Sequence, residues 1–294
     1  MFRFVGNDGV VSALERDLKS GNIAHAYLFV GTPGIGKFTL AKEFAGRIAS
    51  DAADITVVRG DTIKKETIEG IVADSYIKPY SGRYKVYLID GFEHVSVSGQ
   101  NALLKTLEEP QAHVKIILTA GSTEGVLPVI VSRSRVIRFK DVGDAQIETF
   151  LRENLALGEA NAKLFSRISA GSVRRALEYG ENPGALEFRA RCLRVIDRLL
   201  NLSNPFDEMA FFNEHKDQLE EFFSIYSLFL RDIIFNNLNV PDAIINIDAM
   251  AFIEKQHLST EECLSRYQAI RKTRRYLRDN TNFELAIGGL LIGK

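Results

Sequence analysis

The chain has 294 residues, 46% of them hydrophobic, and a formal net charge of −1. That length suits two or three domains with conventional apolar cores. The near-zero charge excludes a global electrostatic pull toward nucleic acid, so any such contact requires a local basic patch or a partner.

Residues 1 to about 140 alternate short apolar runs with helical patterns, which is how a parallel sheet wrapped by helices reads in sequence. The strands are expected at Ala26 to Val30, Ile55 to Val58, Val86 to Ile89, Val114 to Leu118 and Val136 to Phe139. Each is short and nearly all apolar, as strands covered on both faces should be. From Asp144 the strand signal stops, and Ile147, Phe150, Leu151 and Leu155 recur at helical spacing. Tyr179 to Gly184 carries enough helix breakers to predict a linker, and helices separated by polar turns such as Leu202 to Pro205 follow. The expected division is an α/β domain over 1–140, a small helical domain over 141–180 and an all-α domain over 186–294.

Two isolated cysteines, Cys192 and Cys263, exclude a four-cysteine zinc module and argue against a disulfide framework. Met1 to Val5 form no basic and apolar leader, and no apolar run approaches the roughly 20 residues a bilayer needs. The expectation is a cytoplasmic protein.

After the first strand comes Gly31-Thr32-Pro33-Gly34-Ile35-Gly36-Lys37-Phe38-Thr39, opening a helix. Glycines let such a loop curl its N–H groups toward phosphate oxygens, the helix N-terminus adds positive potential and the lysine neutralises charge. The residue after the lysine normally supplies a hydroxyl to Mg²⁺, and here it is Phe38. Thr39 lies about 100° further around the helix, since a turn holds about 3.6 residues, and does not replace it. The apolar strand ending in Asp90 supplies an acid for metal-bound water, but Gly91 stands where hydrolysis needs a glutamate, with Glu93 two residues beyond. These departures predict a degenerate nucleotide site at Gly31, Gly34, Gly36, Lys37, Thr39 and Asp90, a loop that keeps the fold of an ATP site without holding productive Mg-ATP; residual ATP binding without efficient hydrolysis is the alternative.

Read together, the segments resemble the clamp-loader branch of the AAA+ family. Ile23 to Gly31 is similar to its entry to the phosphate loop, Asn101 to Pro110 to the helix after the acidic strand, and Leu127 to Ser134 to its Ser-Arg-Cys segment, with Ser134 in place of the cysteine. Gly171 to Leu177 fits its lid domain and Asn280 to Ala286 the last helix of its collar, so the resemblance spans nearly the whole chain. It implies an α/β AAA+ domain, a lid and an oligomerising collar. It also implies a hetero-pentamer with ATPase subunits and a delta subunit, acting on a sliding clamp and primed DNA.

The departures at Phe38 and Gly91 look like the non-motor subunit of that assembly; an active motor ATPase with an unusual loop is the alternative. Zinc, which many non-motor relatives hold in a module here replaced by Ser50 to Asp54, is not expected. The resemblance makes Arg133 an arginine finger acting in trans on a neighbouring subunit's ATP. It makes Arg174 the lid arginine, serving either to sense nucleotide or to pin lid to core. His25 reads as a core or turn histidine, and Arg266, Arg271, Lys272, Arg274, Arg275 and Arg278 as a solvated face of a packing helix.

Overall fold

The computed structural model describes residues 4–60, 62–201, 204–278 and 281–292, with the side chain of Arg278 left aside. The expectations for Met1, Phe2, Arg3, Leu202, Ser203, Asn280 and the Arg278 side chain lie outside the described residues. The chain gathers into two compact units, one of residues 1–154 with 171–176 and the other of residues 155–170 with 177–294.

In the first unit, α1 (Asp8–Ser20) leads to β1 (Ala26–Val30) and α2 (Lys37–Ile48), then β2 (Ile55–Val58), α3 (Lys65–Asp74) and β3 (Lys85–Ile89). They are followed by α4 (Val97–Glu108), β4 (Val114–Ala120), α5 (Pro128–Arg133), β5 (Arg135–Arg138) and α6 (Asp144–Leu155). Five parallel strands form one sheet in the order β2-β3-β4-β1-β5.

Two apolar clusters flank the sheet. Tyr27, Phe29, Leu40, Phe44 and Leu88 belong to one, and Leu28, Ile68, Ile89, Leu103 and Ile116 to the other. This follows from the period-2 alternation of side chains along a strand, which sends successive residues to opposite faces. The three central strands are buried throughout, as expected, but the edge strands β2 and β5 are not, and Val57 is 39% exposed. An edge strand lacks a neighbour on one side, so fewer helices cover it.

Local sequence fixes the elements. Gly21 ends α1 in the left-handed region with its N–H donating to Leu18, and Ser96 opens α4 by accepting from Gly99 N–H at 3.2 Å. Pro128 starts α5, where its missing N–H has no helical partner to lose.

The second unit holds α7 (Glu159–Ile168), the later part of α8 (Val173–Glu181), α9 (Pro183–Asn201) and α10 (Met209–Glu214). After these come α11 (Leu219–Asn237), α12 (Met250–Ile253), α13 (Thr260–Arg278) and α14 (Phe283–Ile292). Its core is rich in phenylalanine: the Phe222 ring meets Phe212 edge-on at 5.0 Å and also contacts Phe211, Phe223 and Tyr226. Arg189 lies buried within this core, where it donates to both oxygens of Asp248 and to Asn246. The expected linker at 179–184 is corrected: α8 continues through Glu181 and α9 begins at Pro183, leaving only Asn182 between them. Tyr179 is buried and touches Phe165 and Glu221, so packing holds the turn helical despite its sequence. Among the described residues no helix is long and apolar enough to cross a membrane.

Candidate functional site

All five strands run the same way, so the segments following them collect at one edge of the sheet. The phosphate loop follows β1 and Asp90 follows β3, while Thr119 sits near the end of β4. Crevices outside the carboxyl ends of parallel strands are where open α/β sheets bind ligands.

Gly34 and Gly36 adopt φ +84° and +91°, left-handed values that curl the loop into the start of α2. Lys37 folds back over it, donating from Nζ to the carbonyls of Gly31 and, at 2.9 Å, Thr32. Burial holds the Lys37 ammonium below its ordinary pKa, while Glu93, Asp90 and Asp141 pull it back up. The Arg174 N–H donates to Gly34 O at 3.0 Å, and a Cβ on Gly34 would lie 2.1 Å from Ser172 Oγ. The structure therefore brings Arg174 to the phosphate loop through its backbone, with an exposed side chain.

The acidic end of the site has an occupant that the sequence did not reveal. Arg59, just after β2, donates from Nε to Asp90 Oδ2 at 3.0 Å, and its guanidinium lies 4.0 Å from the centre of the Phe38 ring. Thr119 donates to Asp90 Oδ1 at 2.5 Å and accepts from Gly91 N–H at 3.1 Å. Both carboxylate oxygens are thus committed, and the side chain at position 38 is a ring under a cation. Thr39 is exposed and its hydroxyl makes no hydrogen bond among the described residues. These residues do not fit a divalent metal: the hydroxyl ligand is absent and a permanent positive charge stands on the acid.

The ring of Phe4 packs against the loop, 2.5 Å from where a Cβ on Gly36 would be. Glu93 accepts from Gly121 N–H at 2.7 Å through Oε1, whereas its Oε2 is buried without a partner. Phe4, Arg59, Thr119 and Ser172 were missed by sequence reasoning. The one available signal was Arg59 itself, a charged residue directly after an apolar strand at the ligand edge.

Arg133 belongs to the opposite edge. The register sets Arg135, the first residue of β5, beside Tyr27, four positions before Gly31, and Arg133 precedes it as the last residue of α5. At about 3.3 Å per residue the start of β5 is on the order of 13 Å from the loop, beyond the reach of an arginine side chain. His25 directly precedes β1, its backbone carbonyl accepting from Ile116 N–H at 2.9 Å. In the second unit, Arg274 pairs with Glu220 at 3.1 Å, and among the described residues no group of three or more His, Cys, Asp or Glu side chains is placed to hold a metal.

Comparison with known families matches residues 49–143 to the model of "DNA polymerase III, delta subunit" and residues 183–293 to that of the delta subunit's C-terminal part. The chain is 25% identical to the delta' subunit of DNA polymerase III from Bacillus subtilis over 304 aligned residues, covering 94% of this chain and 92% of that one. The chain belongs to the clamp-loader subunits of DNA polymerase III.

Another relative of this clamp-loader subunit is the gamma subunit of Buchnera aphidicola, 32% identical over 205 residues, with 60% of this chain and 57% of that one covered. The chain spans between 31% and 63% of the length of the tau and gamma relatives it matches. A gamma subunit-related protein of DNA polymerase III from Thermotoga maritima shares the fold, with a TM-score of 0.52 at 16% identity over 95% of this chain and 97% of that one. The AAA+ architecture of a parallel sheet with surrounding helices and a helical C-terminal region is thereby established.

Proposed function

We propose that this clamp-loader subunit is of the delta prime type: a non-motor member of the hetero-pentamer that assists ATP-driven loading of the sliding clamp on primed DNA in the cytoplasm. The observation that carries the reading is the Arg59 guanidinium seated between Asp90 and Phe38, where a motor subunit needs a hydroxyl and a metal. Gly91 adds to it, since it has no side chain with which to orient a water. Arg133, at the far edge of the sheet from its own loop, suits a finger directed at a neighbour, stabilising charge on that neighbour's transferred phosphoryl group. The division into an AAA+ domain at 1–140, a lid at 141–180 and a collar at 186–294 belongs to the same proposal, with ATPase subunits and a delta subunit as partners.

One observation favours the motor reading, akin to tau and gamma. Glu93 carries a buried, unpartnered oxygen and acts electrostatically on Lys37, as a carboxylate serving hydrolysis from two residues further on would. The deciding experiment is ATP turnover by the purified chain with Mg²⁺ beside its Lys37→Ala variant. Equal background rates are expected; turnover lost with Lys37 would put the motor reading first.

A further inference from the structure

We infer that the Arg59 guanidinium is a resident cation standing in for the divalent metal, so that this phosphate loop takes a nucleoside di- or triphosphate without metal. The inference rests on the non-hydrolysing reading above, in that a metal-free site holds nucleotide without activating water.

A divalent cation at a phosphate loop serves two charges at once, the acid after the strand and the phosphate oxygens. Arg59 already meets the first requirement through its Nε bond to Asp90 Oδ2. A guanidinium has five donors in one plane and stays charged at any working pH. With Nε engaged, its two Nη groups make no hydrogen bond to protein among the described residues, and the side chain is 57% exposed. Those groups match phosphate oxygens in pairs, the bidentate geometry that distinguishes arginine from lysine.

Phe38 completes the device. Its ring face lies 4.0 Å from the guanidinium carbon, a cation–π contact that fixes the plane of Arg59 beside the start of α2. The same ring removes the hydroxyl a metal would need, so a single substitution both excludes the divalent ion and supports its replacement. Lys37 must leave the carbonyls of Gly31 and Thr32 to reach a phosphate, whereas Arg59 already presents open donors.

The test is calorimetric titration of the full chain with ATP and ADP, once with excess EDTA and once with excess Mg²⁺. Affinity in EDTA is expected to equal or exceed that in Mg²⁺. Arg59→Ala should weaken binding in EDTA by roughly tenfold, the worth of a charged hydrogen bond. Its exposed site predicts an unchanged melting curve, which verifies folding. Phe38→Ser combined with Arg59→Ala should bind more tightly with Mg²⁺ than without.

Nucleotide binding by the unaltered chain that requires Mg²⁺ overturns the inference, as does equal affinity of Arg59→Ala in EDTA. Absence of binding in both media overturns it too, while leaving the non-motor reading intact. Only Lys37-dependent hydrolysis overturns that reading.

Discussion

Arg133 and Glu108 form an ion pair, Nη2 to Oε1 at 2.9 Å, joining the end of α5 to the end of α4. Their side chains are 38% and 46% exposed, so solvent screening limits the pair to about 1 kcal/mol or less. A contact that weak holds the guanidinium in place and releases it readily to a stronger anion.

Arg133→Ala should accordingly leave the melting curve of the isolated chain nearly unchanged. In a reconstituted clamp loader it should lower ATP turnover at the one adjoining site by roughly 10³-fold, the scale of a lost arginine finger. Single-turnover hydrolysis with the remaining sites blocked checks this. Full turnover at that site would remove Arg133 from the role.

Tyr27 supplies a pH dependence of known sign. Its hydroxyl donates to Asp17 Oδ2 at 2.9 Å and accepts from Ala24 N–H, and Arg135 binds the same Asp17 oxygen. Burial foremost, with Asp17 beside it, pushes the phenol from 10.0 up to about 12. The folded state keeps this proton where the unfolded chain releases it, so the contribution is complete below pH 10 and is lost between about pH 10 and 12. Tyr27→Phe should flatten the alkaline arm of a stability-versus-pH curve and cost about 1 to 2 kcal/mol at neutral pH, because Ala24 N–H and Asp17 each lose a partner. Chemical denaturation at several pH values measures both.

Two glycine substitutions should act in opposite directions. Gly34→Ala places a Cβ 2.1 Å from Ser172 Oγ at φ +84°, so a destabilisation of at least about 1 kcal/mol is expected. Gly46→Ala, inside α2 with open space around the added atom, should gain about 0.4 to 1 kcal/mol. Denaturation midpoints of the two variants, read against the parent, check the pair.

Cys192 and Cys263 are both fully buried, and burial pushes their thiols up to about 12 and about 11. Thiolate is the reactive form, so neither should react with a disulfide reagent at pH 8 while the second unit is folded. Both should react together when denaturant unfolds it. Rapid labelling of one cysteine under native conditions would contradict its placement in the core.

Much of the first unit was legible because its information is local. Expected and observed strands agree at Ala26–Val30 and Ile55–Val58, and elsewhere to within two residues, since continuous apolar runs bounded by polar turns leave little choice. The phosphate loop was legible for the same reason, its glycines, lysine and missing hydroxyl lying consecutively. Coverage of Val57 was not legible, because exposure at an edge depends on strand order rather than on the strand's own residues. Nor was the helical state of Tyr179 to Glu181, where contacts with Phe165 and Glu221 outweigh the poor propensity of the stretch.

The sequence by itself determined that this chain carries a phosphate loop lacking its metal-binding hydroxyl, on a parallel α/β sheet followed by helices, because those properties reside in neighbouring residues and their spacing. Only the tertiary structure decided what stands in the vacated place and where Arg133 points relative to its own loop. Arg59 and Asp90 are 31 residues apart and meet because β2 pairs with β3, and the register of β5 against β1 carries Arg133 to the opposite edge. Pairing of strands is a long-range choice made by burial of the whole sheet, and no local pattern around either arginine encodes it.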